Sequence, residues 1–490
     1  MTDMAAEDTA PRSGLAGAVR RAVIWRSGSQ IVSQLVQWAA TFLVIRILSP
    51  SDYGLFAMTG VVLVGLNMLN GYGLASGLVR QPHVATREIR QLFGMLIVLN
   101  GALAAAQVAL APLAAAYYRE PRVADLLRVQ ALLYFCTPFI ALPQALLSRA
   151  MDFRHQAKAN ITASLAAAGT ALAGALAGWG VWTLVLAPIA LFATRAFVLT
   201  LASRWLVPPS FDFRGAGALA RYGGVMALGQ VFWFVQSQTD VFVAGRSMGA
   251  HLLGVYTTAL FLAQIFVSKV VPALNEIAFA AYARLHADDE DSLPRGFVAA
   301  VRTVMAVALP FYLGMFAVAE PLVEGVLGAK WTEAAPVVRL LALAMPFVTL
   351  HVMLTPACDA RGRPGVSVWT GAIGAVLMGS AFLIGARWGP TGLAAAWVAG
   401  YPVYLAVSLH RALPVIGVGV GPVARALAPS LLAAVAMAAL VTLVDQLLPA
   451  LSPLARLALL VTAGAAAHAG WLLVFARPLV RDLVRLAFNR

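Results

Sequence analysis

The chain has 490 residues, of which 61% are hydrophobic and only 11% charged, with a mean hydropathy of +0.82 and a formal net charge of +14. Soluble domains carry about 25% charged residues, so this composition excludes an ordinary soluble enzyme and leaves one polytopic membrane domain. The positive balance does not point to nucleic acid, because the basic residues stand singly at the ends of apolar runs and form no basic domain.

A membrane helix needs about 20 mostly apolar residues. Fourteen such runs recur, expected near 22–47, 53–79, 92–118, 126–148, 157–178, 181–203, 222–245, 252–275, 297–319, 334–357, 365–386, 391–410, 426–446 and 454–476. The expectation is an all-α polytopic membrane protein with 14 transmembrane helices. The first run begins at Ala22, is too long for a signal-peptide core and has no small-residue cleavage site after it. Residues 1–21 are expected to form a cytoplasmic tail.

Helix 1 carries Arg26, Gln30, Ser33, Gln34, Gln37 and Thr41. Steps of three and four put them on one face. A polar stripe against lipid is expensive, so it faces either a wet cavity or a polar seam with a neighbouring helix. On helix 2, Asn67 and Asn70 share a face; they suit hydrogen bonds to sugar hydroxyls and equally well interhelical glue. Cys136 and Cys358, the only cysteines, lie in apolar stretches and read as fillers. Arg195 in helix 6 reads as structural or interfacial.

On helix 7, Gln230, Ser237 and Asp240 share a face, beside Gln236, Gln238 and Thr239. A carboxylate at membrane depth costs roughly 2.5–3.5 kcal/mol on insertion scales and is normally paired. Arg46 is its candidate partner, either in a structural clasp or in a coupling or gating role. Helix 8 carries Gln264 and Lys269, the only lysine far from an expected membrane edge. Its ammonium is a compact point charge suited to a pyrophosphate; the alternative is a side chain snorkelling to the interface. The run Asp288-Asp289-Glu290-Asp291 reads as a solvated loop, and Asp445, like Arg195, as structural or interfacial. The scattered histidines suggest no metal site, and no cofactor is expected.

Lysine and arginine collect on one side of the alternating loops: Arg80, Arg87 and Arg90, then Arg149 and Arg154, then Arg361 and Arg363, with both chain ends. The positive-inside rule then puts both termini in the cytoplasm and requires an even number of spans. No sizeable outer loop, no phosphate-binding G-x-x-x-x-G-K-[ST] loop and no paired catalytic carboxylates are visible. These absences argue against a glycan polymerase or an ATP-driven pump, and no enzymatic activity is expected.

The chain also repeats at an offset of 200. Gln30 matches Gln230, Arg46 matches Arg246, Leu48 matches Met248, Gly54 matches Gly254 and Phe56 matches Tyr256. Six helices separate the copies, so both enter the membrane from the same side. The expected organisation is a tail at 1–21, a six-helix bundle at 22–205, a cytoplasmic linker at 206–221, a parallel six-helix repeat at 222–412, helices 13 and 14 at 413–476, and a cytoplasmic tail at 477–490. Transporters commonly place substrate between two such repeats.

Several motifs carry a family resemblance. Ile47-Leu48-Ser49-Pro50-Ser51-Asp52-Tyr53-Gly54-Leu55-Phe56 follows helix 1, and Asp240 to Arg246 with Leu253-Gly254-Val255-Tyr256 follows the start of the second set. Leu322 to Pro336, including Gly328-Ala329-Lys330-Trp331, lies between helices 9 and 10, with the Gly362 turn after it. Ala145 to Arg154 ends helix 4. Here the chain resembles the Wzx-like oligosaccharide flippases of the multidrug/oligosaccharidyl-lipid/polysaccharide exporter superfamily, in the colanic-acid-exporter-like subgroup. One departure is Phe279-Ala280-Ala281, where that family often has Phe-Pro-Ala.

The resemblance implies a bacterial inner-membrane flippase. It would move undecaprenyl-pyrophosphate-linked oligosaccharide repeat units to the periplasmic leaflet by alternating access, for exopolysaccharide, capsule or O-antigen synthesis. Arg26 and Lys269 would attract the pyrophosphate. Gln30, Gln34, Gln37, Asn67, Asn70, Gln230 and Gln264 would solvate the sugars, and helices 13 and 14 would hold the lipid tail. Its partners would be the lipid-linked substrate, membrane lipids, and the polymerase and glycosyltransferases of the pathway. The alternatives are a cation-coupled drug exporter of the same superfamily, or an enzyme of polysaccharide polymerisation.

Overall fold

A computed structural model describes residues 12–70, 85–203, 207–213, 231–269, 271, 275, 292–363, 365–449 and 451–475. Among these residues the regular structure is entirely helical. It groups into fourteen helices: α1 (Arg12–Ile47), α2 (Pro50–Asn67), α3 (Thr86–Tyr118), α4 (Arg122–Arg149), α5 (Phe153–Leu176), α6 (Val181–Ser203), α7 (Val231–Ser247), α8 (Gly249–Lys269), α9 (Ser292–Ala317), α10 (Ala335–Val352, continued by Leu354–Ala360), α11 (Gly365–Gly385), α12 (Gly389–Ile416), α13 (Val420–Leu447) and α14 (Pro453–Phe475). Eleven stretches of the described residues are long and apolar enough to cross a membrane. The sequence-based spans differ mainly at their ends. Helix α2 begins at Pro50 and its described part ends at Asn67, whereas the apolar run reaches residue 79; residues 71–84 lie outside the described set.

Contacts divide the chain into two units, Met1–Leu48 with Val62–Gln230, and Ser49–Val61 with Val231–Arg490. In the first unit α1 runs along α5, α5 along α6, and α4 packs on both α3 and α6. Helix α4 is interrupted at Ala131 and Thr137, and Pro138 and Pro143 follow. Proline removes a backbone donor, and a span tolerates the break only where neighbouring groups satisfy the freed carbonyls. Thr200 of α6 does part of this: its hydroxyl donates at 3.3 Å to the Phe139 carbonyl that Pro143 leaves free. Gln107 of α3 ties α3 to the same helix: it is fully buried, its Nε2 donates to the Leu127 carbonyl at 2.8 Å, and its Oε1 accepts from the Tyr134 hydroxyl at 3.1 Å. Apolar contact between Leu92, Phe93 and Leu96 of α3 and Ala141, Leu142 and Ala145 of α4 closes the same interface.

The extended segment 207–213 is strapped to the first turns of α3. The Ser210 N–H donates to the Arg90 carbonyl at 2.9 Å, Gln91 Nε2 donates to the Asp212 carbonyl at 2.7 Å, and Arg87 pairs with the Asp212 carboxylate at 3.1 Å. Gly94 lets the strap approach, since a Cβ there would land on the Ser210 carbonyl oxygen.

In the second unit α9 packs along α13, α10 along α12, α11 along both α7 and α12, and α13 along α14. The last two helices therefore join this unit. At the α13–α14 turn, Arg456 grips Asp445 with two bonds of 2.6 and 2.8 Å and reaches Glu320 at 3.5 Å. Two-pronged guanidinium–carboxylate geometry is both strong and directional. It ties the turn to the segment after α9, and Asp445 takes the structural role expected of it.

Replacing Gly94 with Leu is expected to lower the melting temperature of the detergent-purified protein by several degrees, because the strap must leave α3. Gly101→Ala, with open space around the added methyl, is expected to leave it unchanged or slightly raised. Scanning fluorimetry of both variants checks this, and equal melting temperatures would refute the strap's contribution.

Candidate functional site

Two constellations in the second unit are built from the residues that sequence patterns single out. The first begins with the Leu48-Ser49-Pro50-Ser51-Asp52 turn. The Ser49 amide and hydroxyl both donate to Asp52 Oδ2, at 3.0 and 2.6 Å, and the Asp52 amide returns a longer bond of 3.4 Å to Ser49 Oγ. This is a capping box with proline at the first helical position, where its missing N–H costs nothing. It fixes the start of α2 so that Tyr53 and Gly54 face the rest of the unit.

Gly54 then meets Ala250 and Gly254 meets Pro50. A Cβ on either glycine would fall on the carbonyl oxygen opposite. Pro50 and Ala250, like Gly54 and Gly254, are separated by 200 positions, so the contact is reciprocal: each repeat copy receives the other's backbone. Above it Tyr53 packs edge-on to Trp331, ring centres 5.5 Å apart, with the indole fully buried. Trp331 is carried by a 3-10 turn, Ala329–Ala334, that follows the left-handed Gly328 (φ 100°). Three separate motifs thus converge on one junction.

The second constellation surrounds Asp240, which is 1% exposed. Its carboxylate accepts from the Tyr256 hydroxyl at 2.7 Å and the Val241 amide at 2.8 Å. Tyr256 Oη in turn accepts from Trp397 Nε1 at 2.9 Å. Trp397, Tyr401 and Tyr404 stand at i, i+4 and i+7 on α12, so one helix face presents an aromatic column. Trp397 stacks on Tyr401 at 5.5 Å and 10°, Tyr401 meets Tyr404 edge-on at 5.4 Å, and the His351 ring of α10 lies 4.5 Å from Tyr404. Gln236, one turn before Asp240 on α7, hydrogen-bonds the Tyr404 side chain. A buried carboxylate is tolerated only when its lone pairs are filled, and here donors from α7 and α8, backed by α12, fill them.

The other sequence-selected residues fall as follows. Gln37 donates to Ser164 Oγ of α5 at 3.0 Å, a polar seam inside the first unit. Gln34 is half-buried and Gln30 exposed. Asn70 donates to Asn67 Oδ1 at 3.1 Å, and Asn100 of α3 donates to the Asn70 carbonyl at 3.0 Å. Arg46 closes α1, with an exposed side chain that has interactions of its own; it belongs to the first unit, and the bonds that Asp240 makes within the second are to Tyr256 and Val241. Gln264 is half-buried. Lys269 is exposed at the last residue of α8, about 20 Å along the helix from Tyr256 at 1.5 Å per residue. Gln230 and the Arg26 side chain lie outside the described residues. Sequence reasoning passed over Tyr256, Trp397, Tyr401, Tyr404 and His351 as chemistry; the aromatic spacing on a helix otherwise rich in Gly and Ala was the available signal.

Residues 43–336 match a family model described as polysaccharide biosynthesis protein. The chain is 27% identical over 371 residues to the succinoglycan biosynthesis transport protein ExoT of Rhizobium meliloti (strain 1021), covering 76% of this chain and 75% of that one. It is 22% identical over 379 residues to the teichuronic acid biosynthesis protein TuaB of Bacillus subtilis (strain 168), covering 76% and 77%. A solved structure of the lipid II flippase MurJ in an inward closed conformation superposes with a TM-score of 0.75 at 13% identity, covering 93% of this chain and all of that one. The fold is therefore shared with that protein.

Tyr256→Phe removes one donor from the buried carboxylate of Asp240. Leaving such a group short of a partner costs about 1–3 kcal/mol, so a clear drop in melting temperature is expected. The Asp240→Asn/Tyr256→Phe double variant should lose less than the sum of the single losses. Strict additivity in a thermal double-mutant cycle would show that the two side chains do not cooperate.

Proposed function

Because the chain belongs to the polysaccharide biosynthesis protein family, we propose that it is a flippase for undecaprenyl-pyrophosphate-linked oligosaccharide units, moving them from the cytoplasmic to the periplasmic leaflet by alternating access. The observation that carries this reading is the family match across residues 43–336, which takes in the capping-box turn, Asp240 with Tyr256, and the Trp331 loop. The relative named as a succinoglycan transport protein supports a lipid-linked glycan as cargo, as does the fold shared with a lipid II flippase.

The chemistry required is the passage of a polar, anionic headgroup through apolar surroundings while the lipid tail stays in the bilayer. Arg26 and Lys269 attract the pyrophosphate. Polar side chains of α1, α2, α7 and α8, among them Gln30, Gln34, Gln230 and Gln264, solvate sugar hydroxyls. Gln37, Asn67 and Asn70 already hold partners in their own unit, so they serve the sugars only by exchanging those bonds. Asp240 and Arg46 couple or gate the movement, and a carboxylate held by a single hydroxyl and an amide is suited to that task. Helices α13 and α14 accommodate the lipid tail. The protein acts in the bacterial inner membrane with both termini in the cytoplasm, alongside the glycosyltransferases and polymerase of its pathway, and catalyses no covalent step itself.

In a strain lacking the chromosomal copy, Lys269→Ala and Arg26→Ala are each expected to reduce surface polysaccharide at least several-fold at equal membrane levels, with lipid-linked units accumulating on the cytoplasmic side. Export undiminished in both variants would remove the cation assignment. Normal surface polysaccharide in the deletion strain itself would remove the flippase reading.

A further inference from the structure

A cavity of about 760 Å³ opens on the second unit along α10, α11 and α12. Its volume lies within the range of ligand sites, yet its walls are almost wholly apolar. It owes its depth to small residues. Gly385 and Gly392 bring α11 and α12 together, since a Cβ on either would strike the other's carbonyl oxygen, and Ala395 and Ala399 leave space beside that crossing. On α12 the lining runs from Thr391 to Val403, about 18 Å at 1.5 Å per residue. Half of a hydrocarbon core of about 30 Å is about 15 Å, so the groove has the depth of one leaflet.

One end is marked as the interface. Trp388 lines the cavity there and is 67% exposed, and tryptophan concentrates at headgroup level. Two arginines stand at that end: Arg387 precedes Trp388, and Arg339 precedes Leu340 of the lining on α10. Both side chains are exposed, and neither makes a hydrogen bond or ion pair with the described residues. Glu333, the nearest carboxylate before Arg339 along the chain, is engaged by His251 at 3.1 Å. The mouth thus carries positive charge that no described residue pairs.

We infer that this groove is a binding site for an anionic phospholipid of the leaflet at the Trp388 end, with one acyl chain lying along α12 and the phosphate held by Arg339 and Arg387. The occupant is a diacyl lipid, because the groove ends after one leaflet depth and a polyprenyl chain is far longer. None of the lining residues is among those assigned to transport, and the site does not depend on what the protein carries.

The test is native mass spectrometry of the delipidated full-length protein titrated with dioleoylphosphatidylglycerol and, separately, dioleoylphosphatidylcholine. The wild type is expected to retain the glycerol lipid at least five-fold more strongly. Ala395→Leu/Ala399→Leu fills the groove from two exposed positions and should abolish retention of both lipids at this site. Arg339→Gln/Arg387→Gln should erase the preference for the glycerol lipid while sparing chain binding; being confined to exposed side chains, it keeps the proposal falsifiable if the groove-filling variant does not fold. Equal retention of the two lipids by the wild type would overturn the inference, as would unchanged retention in a folded groove-filling variant. Stronger binding of undecaprenyl phosphate than of phosphatidylglycerol, lost on filling the groove, would overturn the phospholipid assignment.

Discussion

The architecture of the second unit hangs on two glycines that leave no room for a side chain. Gly54 and Gly254 each receive a backbone carbonyl, from Ala250 and Pro50 respectively, so the starts of α2 and α8 touch backbone to backbone. In lipid there is little hydrophobic gain in bringing apolar helices together, and close van der Waals approach between small residues does much of that work. The capping box of Ser49 and Asp52 holds α2 at the angle this approach needs. Tyr53 and the buried Trp331 then cover it. Residues 49–61 are bound so well by these contacts that they group with the second unit, although they precede most of the first in the chain.

Several polar groups buried within the helices are matched by a partner supplied from another helix. Gln107 bridges to the Leu127 carbonyl and the Tyr134 hydroxyl of α4, Gln37 answers Ser164, and Asp240 is answered by Tyr256 and backed by Trp397. Since water is absent from the bilayer core, an unmatched group there costs several kcal/mol. Such partnerships fix helix register.

Much of this could be read in the chain. Hydropathy marked fourteen runs, and fourteen helices are present among the described residues. The offset of 200 paired Gly54 with Gly254, and that pair proves to be a mutual contact. Other features could not be read. Asn67 and Asn70 share a face in the sequence, but the Asn100 side chain that bonds the Asn70 carbonyl is thirty positions away. The prolines of α4 are local, but the Thr200 hydroxyl that takes up the Phe139 carbonyl is on α6. The aromatic column of α12 carries no local signal of its partner, Asp240, which lies more than 150 positions earlier.

A many-helix membrane protein with turns built for capping is legible in the chain alone, because hydropathy, periodicity and capping act over a few residues and leave their mark locally. Only the tertiary structure decided which polar groups are already partnered, where the small residues open a groove one leaflet deep, and why the two repeat glycines admit no substitution. Those outcomes depend on side chains from distant segments meeting at van der Waals or hydrogen-bond distance, and a linear pattern does not encode which of several compatible partners will be the one within reach.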